Sequence, residues 1–554
     1  MGSASILTEA RIKMLQPISG SNRQILIVDD FTDMRMAIRR MLREIGEDNV
    51  EHACNGKNAL EKMKCTKFDI VLCDYNLGEG KDGHQVLEEA RYFGSVTPSC
   101  IFIMITAETS VPYVLGAIEC QPDDYIAKPF TKELLHHRLQ KVMERKRFLL
   151  DIYHAIQEKK YSEGILLAEA RMKTKSRYVM EITKLLGWLY IKTEDYDAAV
   201  CFYQRLLERQ SPHWAKFGLG QSKYYLGEIA AAISIFEGLV EDNQYFIEAY
   251  DWLAKCRVAM GDAAQALEQL AIASRLSPKT IARQLQLGEL AKNEGDLDAA
   301  VSAYRAAISY GKHSCFKSAK EYLGMSEILV GRGDTLKALT NLKEARAELQ
   351  AQPVDLLQIL TTSADLHRVN KRDGEASKLL QQAATVYQDN MGDVPDEISI
   401  KLAESALSIG DTTLGASIVR SLAENNHDDD ELLDQLRDVI EQTGYSESLA
   451  EVVDGSVTEL RALNKEGISL AEDHRFAESL ELFKQVLVKA PDSKAFNLNA
   501  ALACIILMQN NGFDDNLLCE ARAYLARVKK SGKADARYAD LTKMLARLTA
   551  GQGE

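Results

Sequence analysis

A short motif recurs at a fixed spacing in the middle of the 554-residue chain. Copies begin at Gly227, Gly261 and Gly295, which are 34 residues apart, and related copies begin at Glu194 and Gly333. Each copy has an alanine five positions after its start and a large residue four positions further on: Tyr203, Phe236, Leu270, Tyr304 and Leu342. Alanine lets two helices approach closely and the large side chain fills the gap to the next pair, so the spacing predicts stacked helical hairpins.

This pattern resembles the tetratricopeptide repeat (TPR), whose two-helix units stack into an all-α superhelical solenoid with a groove that binds proteins. Pro278 stands where a unit of this kind ends its second helix, and further fits begin at Gly410 and lie within 467–491. Matching is poorer at 346–400 and 424–456, where we expect lengthened or irregular units. The resemblance implies a TPR-like array over 146–554.

The first part of the chain has a different texture, in which short apolar runs alternate with amphipathic stretches. The runs are rich in Ile and Val and cover Gln24 to Val28, Asp69 to Cys73, Ile101 to Ile105 and Tyr125 to Ala127, with a weaker candidate at Val50 to Ala53. Strands separated by helices of this length indicate an α/β fold. We therefore expect a small, doubly wound domain with a five-stranded parallel sheet.

Polar residues follow the apolar runs at the point where each predicted strand ends. They are Asp29 and Asp30, Asp74, Thr106 and Lys128. Open parallel sheets place their sites at the carboxyl ends of the strands, so these side chains should converge. Three neighbouring carboxylates repel one another unless a hard cation lies among them, and oxygen ligands favour Mg²⁺. A hydroxyl and an ammonium opposite them suit a phosphoryl group carried on one aspartate.

Residues 25–130 resemble a CheY-like receiver domain of two-component response regulators, which has a flavodoxin-like sheet. The resemblance implies that Asp74 is the phosphoryl acceptor and that Asp30 is a direct Mg²⁺ ligand. It implies that Asp74 is also a metal ligand, that the backbone carbonyl of Asn76 is the third protein ligand, and that Asp29 acts on the metal through water. The acceptor loop differs from the usual form, because 74–83 is one residue longer and lacks Met-Pro.

The same resemblance assigns roles to the remaining site residues. Thr106 would donate a hydrogen bond to the phosphoryl oxygen, Lys128 would pair with another oxygen, and Tyr125 would be the aromatic residue that moves with Thr106 in the switch. Asn76 and Glu108 would tune hydrolysis, and this polar pair predicts a short-lived phosphoryl group. Pro129, which follows the lysine, commonly forms a cis peptide in this family.

The acceptor loop also contains Gly78, Gly80 and Gly83 in the G-x-G-x-x-G spacing of dinucleotide-binding proteins. That fingerprint belongs in the first strand-to-helix turn, with its first glycine directly at the strand end. Here the glycines follow the third strand and three residues intervene, so the spacing does not predict a dinucleotide site.

Composition restricts the function classes. The formal net charge of -14 and the sequence pI near 5.4 disfavour a nucleic-acid partner, because phosphate binding requires surplus Lys and Arg. The most apolar stretch, 500–508, is too short to span a bilayer, so we expect no membrane association. Ten cysteines are scattered singly without a C-x-x-C pair, which is typical of reduced thiols and indicates a cytoplasmic protein.

These observations predict an N-terminal extension at 1–23, a receiver at 24–145 and the repeat array at 146–554. No catalytic constellation occurs in 151–554, so the only chemistry expected is the receiver's own phosphorylation and dephosphorylation. A sensor histidine kinase or a phosphotransfer protein would donate the phosphoryl group, and the array would bind an unknown protein, such as the sensor kinase or a second regulator. The alternatives are a phosphate sink and a constitutive TPR scaffold. Homodimerisation through the receiver or the repeats stays open.

Two charged segments and the junction between the domains complete the sequence picture. The helical pattern over 131–163 is compatible with one continuous helix or with two helices broken near 146–148. The basic run at 137–147 is interpreted as a solvated face, with contact to an acidic surface as the alternative. Residues 424–454 hold eleven acids and one base, Arg437. This stretch is either a solvated face or a docking surface for a basic partner.

Overall fold

The computed structural model describes residues 23–107, 119, 121–174, 176–444, 447–533 and 535–550. The chain divides into two compact units, residues 1–317 and 318–554. The first contains the parallel sheet and the first helical hairpins, and the second contains further hairpins. Glu108, expected to tune hydrolysis, lies outside the described residues, as does nearly all of the predicted N-terminal extension.

The sheet has five parallel strands in the order β2-β1-β3-β4-β5. The strands are β1 Ile25–Val28, β2 Val50–Ala53, β3 Ile70–Asp74, β4 Ile101–Thr106 and β5 Asp124–Ala127. The prediction of a doubly wound, flavodoxin-like parallel sheet is confirmed. Reversal of strand order beside β1 places the first and third strands side by side, which is where such folds form their sites.

Helices cover both faces of this sheet, because successive strand residues point to opposite sides. The helices are α1 Thr32–Glu44, α2 Gly56–Cys65, α3 Gly83–Tyr92 and α4 Lys132–Phe148. Ile25 and Ile27 pack with Leu42 of α1 and Leu139 of α4 in one core. Leu26 and Val28 belong to the opposite core with residues of α2 and α3. With both faces buried, the carboxyl edge is left for polar side chains.

The junction after the receiver is two helices that meet at Leu149. Helix α4 ends at Phe148 and α5 covers Leu150–Gln157, so the predicted boundary at 145/146 falls inside α4. The interpretation of 137–147 as a solvated face is wrong for Lys146, which is buried. Its Nζ lies 2.8 Å from Asp123 Oδ2 and donates to the Pro98 carbonyl at 2.9 Å. These bonds fasten the end of α4 to the receiver.

Antiparallel hairpins continue from α5 to the end of the first unit. Their helices are α6 Tyr161–Met172, α7 Val179–Lys192, α8 Tyr196–Leu207, α9 His213–Tyr225, α10 Ile229–Asp242, α11 Ile247–Ala259, α12 Ala263–Leu276, α13 Ile281–Asn293 and α14 Leu297–Gly311. Gly261 and Gly295 adopt left-handed φ values of 77° and 81° at the turns between helices, a conformation that costs glycine little. The repeat glycines therefore end the first helix of each hairpin, as the motif predicts.

Packing inside the hairpins follows the repeat motif. The motif alanines and large residues are buried throughout, including Ala232 and Phe236, both with no exposed surface. The sequence pattern missed a second feature, namely that the first helix of several hairpins presents a glycine to the large residue. A Cβ on Gly220 would lie 2.7 Å from the Phe236 ring, and Gly288 and Tyr304 have the same relationship. The aromatic ring thus occupies the space left by the missing side chain.

The second unit has longer and less regular hairpins. Its helices are α15 Lys320–Gly331, α16 Thr335–Glu348, α17 Pro353–Val369, α18 Asp373–Asp389, α19 Asp396–Ile409, α20 Thr412–Asn425, α21 Asp430–Gln442, α22 Glu447–Glu472, α23 Phe476–Lys489, α24 Lys494–Asn511, α25 Asp515–Lys530 and α26 Ala536–Ala550. Within 346–400, α17 and α18 each have 17 residues. Within 424–456, the 26-residue α22 follows α21.

The acidic stretch is largely helical. Helix α21 buries Leu433 and Leu436 and turns its acidic side chains away from this core. Arg437 pairs with Asp434 and Asp454, while Arg461, from outside the stretch, pairs with Asp430. These exposed pairs contribute little stability. In the part of the chain that the structure describes, no helix combines the length and apolarity needed to cross a membrane.

The glycine-to-aromatic packing makes a prediction about stability. We expect Gly220→Ala to destabilise the protein by about 1–3 kcal/mol, because its methyl group would overlap the buried Phe236 ring. Gly238→Ala is the matched control, since Gly238 lies in a helix with nothing within 4 Å of the added Cβ. Alanine there should stabilise the helix by up to about 1 kcal/mol. Chemical denaturation of both variants checks the pair, and equal effects would contradict the packing argument.

Candidate functional site

Three charged side chains from three different strand ends meet at the carboxyl edge of the sheet. Asp29 follows β1, Asp74 is the last residue of β3, and Lys128 follows β5. Lys128 Nζ lies 2.8 Å from Asp29 Oδ2 and 2.6 Å from Asp74 Oδ2. The lysine is followed by a cis peptide at Pro129. One ammonium therefore bridges two carboxylates that lie side by side because β1 and β3 are neighbours.

Burial controls the electrostatics of this cluster. The pKa of Asp74 is raised, mainly because burial penalises the carboxylate, although the hydrogen bond from Lys128 opposes the rise. Burial also penalises the ammonium of Lys128, but its hydrogen bonds to Asp29 and Asp74 outweigh that penalty and raise the lysine pKa. The lysine ammonium therefore offsets the negative charge of the two buried carboxylates.

A third carboxylate completes an oxygen-only cluster. Oxygen atoms of Asp29, Asp30 and Asp74 lie within 4.8 Å of one another. Asp30 Oδ1 is buried and, among the described residues, has no hydrogen-bond partner. A buried carboxylate oxygen without a donor is costly unless a cation binds it. The cluster therefore fits a hard divalent cation such as Mg²⁺.

Arg35, which lies on α1, positions Asp29 and Asp30. Its Nη1 donates to the backbone carbonyls of Asp29 at 2.6 Å and Asp30 at 3.0 Å. The Asp29 side chain in turn accepts from the Phe31 backbone N–H at 2.9 Å. Sequence reasoning missed Arg35, although its place one turn into the first helix after the aspartates is a usable signal.

The glycines of the acceptor loop, residues 74–83, have roles that are unrelated to nucleotide binding. Gly78 and Gly80 have left-handed φ values of 72° and 101°, which let the longer loop turn without Met-Pro. Gly83 starts α3 so close to the acceptor that a Cβ would lie 2.2 Å from the Asp74 carbonyl oxygen. The Gly83 N–H donates to the Tyr75 carbonyl at 2.8 Å and closes the loop. Within it, the backbone N–H of Asn76 is 3.4 Å from Asp74 Oδ1.

Thr106 and Tyr125 lie on the neighbouring strands. Thr106 ends β4, and its carbonyl accepts from the Lys128 backbone N–H at 2.8 Å, so the threonine and the lysine are joined through the main chain. Tyr125 is on β5 opposite Met104 and packs, partly buried, against the core beneath α2 and α3. Thr106 is thus on the strand next to that of Asp74, and Tyr125 is on the edge strand beyond it.

Comparison with known proteins agrees with this geometry. Residues 25–140 match the response regulator receiver domain family, and residues 185–213 and 283–310 match the tetratricopeptide repeat family. The chain is 35% identical over 131 residues to chemotaxis protein CheY-3 of Vibrio cholerae, covering 99% of that protein and 24% of this chain. The chain belongs to the response regulators with a CheY-like receiver.

Two further relatives illustrate the two parts of this response regulator. Chemotaxis protein CheY of Pseudomonas aeruginosa is 33% identical over 122 residues, which cover 97% of that protein and 22% of this chain. The crystal structure of a tetratricopeptide repeat protein from Parabacteroides merdae is 13% identical to this chain. The match covers 44% of this chain and 93% of that protein's chain, with a TM-score of 0.30. The two family matches show that the response regulator combines a receiver with TPR repeats.

A large cavity within the first unit of the response regulator is the candidate partner groove. Its volume is about 930 Å³, and Trp188, Trp214 and Phe217 from the array line it together with receiver residues. Lys184 Nζ lies 5.6 Å from the Trp214 ring centroid, and Lys192 Nζ lies 5.4 Å from that of Trp188. Aromatic surfaces with flanking cations suit apolar and acidic side chains of a protein ligand.

The raised pKa of Asp74 makes a prediction about pH. Ionised Asp74 opposes folding, so the stability it removes at pH 7 returns as pH falls through its pKa. We expect Asp74→Asn to raise the apparent Tm at pH 7, with a gain that shrinks at acidic pH. Calorimetry between pH 4 and 8 checks this, with the exposed Asp33→Asn as control. An Asp74→Asn variant that is less stable at pH 7 would contradict the assignment.

Proposed function

We propose that the protein is a phosphorelay response regulator in which Asp74 accepts a phosphoryl group and the array passes the signal to a protein partner. The bridging position of Lys128 between Asp29 and Asp74 carries this proposal. It leaves Asp74 as a buried carboxylate next to a fixed cation, which is what an acceptor of a dianionic group requires. The match to the receiver domain family supports the same role.

The donor is a phosphohistidine on a sensor histidine kinase or a phosphotransfer protein. An oxygen of Asp74 attacks phosphorus, the P–O bond forms as the P–N bond breaks, and the imidazole nitrogen keeps the electron pair. Lys128 pairs with a phosphoryl oxygen as it leaves its place between the two carboxylates. Asp30, Asp74 and the Asn76 carbonyl would hold Mg²⁺, with Asp29 contributing through water. When bound, the ion neutralises charge on the transferred group.

The phosphoryl group changes the receiver through Thr106 and Tyr125. Thr106 donates its hydroxyl hydrogen to a phosphoryl oxygen, and Tyr125 moves inward as the threonine shifts. Asn76 and Glu108 tune hydrolysis of the phosphoryl group, and this polar pair makes the signal brief. The array supplies the output by binding a protein, such as a sensor kinase or a second regulator, in the aromatic cavity of the first unit.

Phosphoryl transfer itself tests the function. We expect a radiolabelled small acyl phosphate to label the wild type at one site and to leave Asp74→Asn unlabelled. Lys128→Met should reduce the labelling rate by about 10²-fold, since one preorganised cation is lost. The label should decay within minutes. A lifetime of many hours would contradict the tuning role of the polar pair, and full labelling of Asp74→Asn would contradict the acceptor assignment.

Metal dependence gives a separate test of the carboxylate cluster. Mg²⁺ at 100 times its Kd should stabilise the wild type by about 2.7 kcal/mol, because it binds only the folded site. Asp30→Asn should remove this gain, since Asp30 provides the buried oxygen that lacks a protein donor. Asp33→Asn, an exposed acid outside the cluster, should keep it. Thermal unfolding with and without Mg²⁺ measures the effect, and an unchanged gain in Asp30→Asn would contradict the site.

A further inference from the structure

One loop of the array touches the receiver at two places. It joins α12 to α13 and includes the first turn of α13, and we call residues 277–283 the clamp loop. One contact is with the acceptor loop that follows Asp74. The other is with Glu119, which lies in the sequence between Thr106 and Tyr125. Receiver and clamp loop belong to the same compact unit.

Lys279 makes the first contact. Its Nζ lies 2.8 Å from Asp82 Oδ2 and 4.9 Å from the centroid of the Tyr75 ring. Tyr75 follows the acceptor directly, and Asp82 is the last residue before α3, so a single ammonium binds both ends of the acceptor loop. The face of the aromatic ring and the neighbouring carboxylate both attract the lysine ammonium.

Asp82 is linked to Asp74 through a helix cap and close backbone contacts. It caps α3, accepting from the Gln85 backbone N–H at 2.9 Å. The next residue, Gly83, packs directly on the Asp74 carbonyl and donates to the Tyr75 carbonyl. A displacement of the acceptor backbone is therefore passed to the start of α3 and to the Asp82 carboxylate that holds Lys279.

Arg283 takes part in the second contact, together with Ser277 and Thr280. Its guanidinium and the hydroxyls of Ser277 and Thr280 all donate to the Glu119 carboxylate. Arg283 is only 3% exposed and also forms two bonds with Asp251 of α11, at 2.8 and 2.7 Å. The array thus presents three converging donors to one receiver carboxylate, which is a built binding site for this side chain.

Contacts from the next hairpin extend the same surface. Gln85 Nε2 donates to the Tyr310 carbonyl at 3.1 Å, and Lys81 donates to the His313 carbonyl. Tyr92, near the end of α3, meets Phe316 edge to face, with ring centroids 5.3 Å apart. The array therefore follows α3 from its first turn to its last.

We propose that the clamp loop holds the receiver in its unphosphorylated form, that Lys279 is the positioning residue for the acceptor loop, and that phosphorylation of Asp74 opens these contacts. The proposal rests on the proposed function. In the proposed function, phosphorylation of Asp74 moves Thr106 and Tyr125. The clamp loop contacts Tyr75 and Asp82 beside Asp74, and it contacts Glu119, which lies in the sequence between Thr106 and Tyr125. Because linkage is reciprocal, a group that opens the clamp binds more tightly once the clamp is broken.

The test measures equilibrium binding of beryllium fluoride, a phosphoryl mimic, to the full chain with Mg²⁺. We expect Lys279→Met to bind it about fivefold or more tightly than the wild type, since the coupling cost is removed. Lys216→Met is the matched control, because Lys216 pairs with Asp242 at the same 2.8 Å inside the array. The control should bind like the wild type. Equal or weaker affinity of Lys279→Met would overturn the proposal.

A second variant addresses the same ion pair from the receiver side. Asp82→Asn can still cap α3 but loses its charge, so it should reproduce Lys279→Met, and the double variant should show no further gain. Hydrogen exchange of the 277–283 amides should rise when the mimic binds, and an unchanged rate would overturn the opening. Failure of the wild type to bind would overturn the proposed function and the clamp together. If the wild type and Lys279→Met bind beryllium fluoride with equal affinity and Asp74→Asn does not bind it, the clamp alone is overturned.

Discussion

The ammonium of Lys128 between Asp29 and Asp74 is the interaction on which the receiver site depends. Adjacent parallel strands bring the two carboxylates to one edge, and both faces of the sheet are already covered by apolar helices. Two buried negative charges side by side would repel each other, and the lysine compensates for them. The compensation is removable, since the same ammonium can pair with an arriving anion. The lysine thereby offsets part of the cost of burying the two carboxylates and stays available to pair with an anionic group.

The sequence predicted this part of the molecule because its signals are local. Each strand is a short apolar run, and each site residue follows directly from a strand end, so Asp30, Asp74 and Lys128 could be assigned to one edge without tertiary information. The repeat motif was equally local, since Gly261 and Ala266 belong to one hairpin. The α/β receiver and the TPR hairpins were therefore predictable. The predicted ends of the strands differ from the observed ends by about one residue.

Long-range contacts could not be predicted, because the residues that make them look like ordinary surface residues in the sequence. Lys146 was interpreted as solvated, yet it is buried among carbonyl oxygens of the receiver. Lys279 and Asp82 are 197 residues apart, and Arg283 and Glu119 are 164 apart. Nothing in the local composition of either segment distinguishes such a pair from two solvated charges. The three glycines of the acceptor loop were visible, but the closeness of Gly83 to Asp74 depends on the fold.

The energetics of the clamp suit opening better than permanent fastening. A stacked repeat gains its stability from neighbouring hairpins, so contact with the receiver is not required for the array to fold. Lys279 and Asp82 each keep about one quarter of their side-chain surface exposed, so water can solvate both charges when the pair opens. Arg283 is buried, but when Glu119 leaves, it keeps both bonds to Asp251 and is never an unpaired charge. Opening therefore avoids the usual penalty of breaking a buried ion pair, and the modest coupling energy of a phosphoryl switch is enough to drive it.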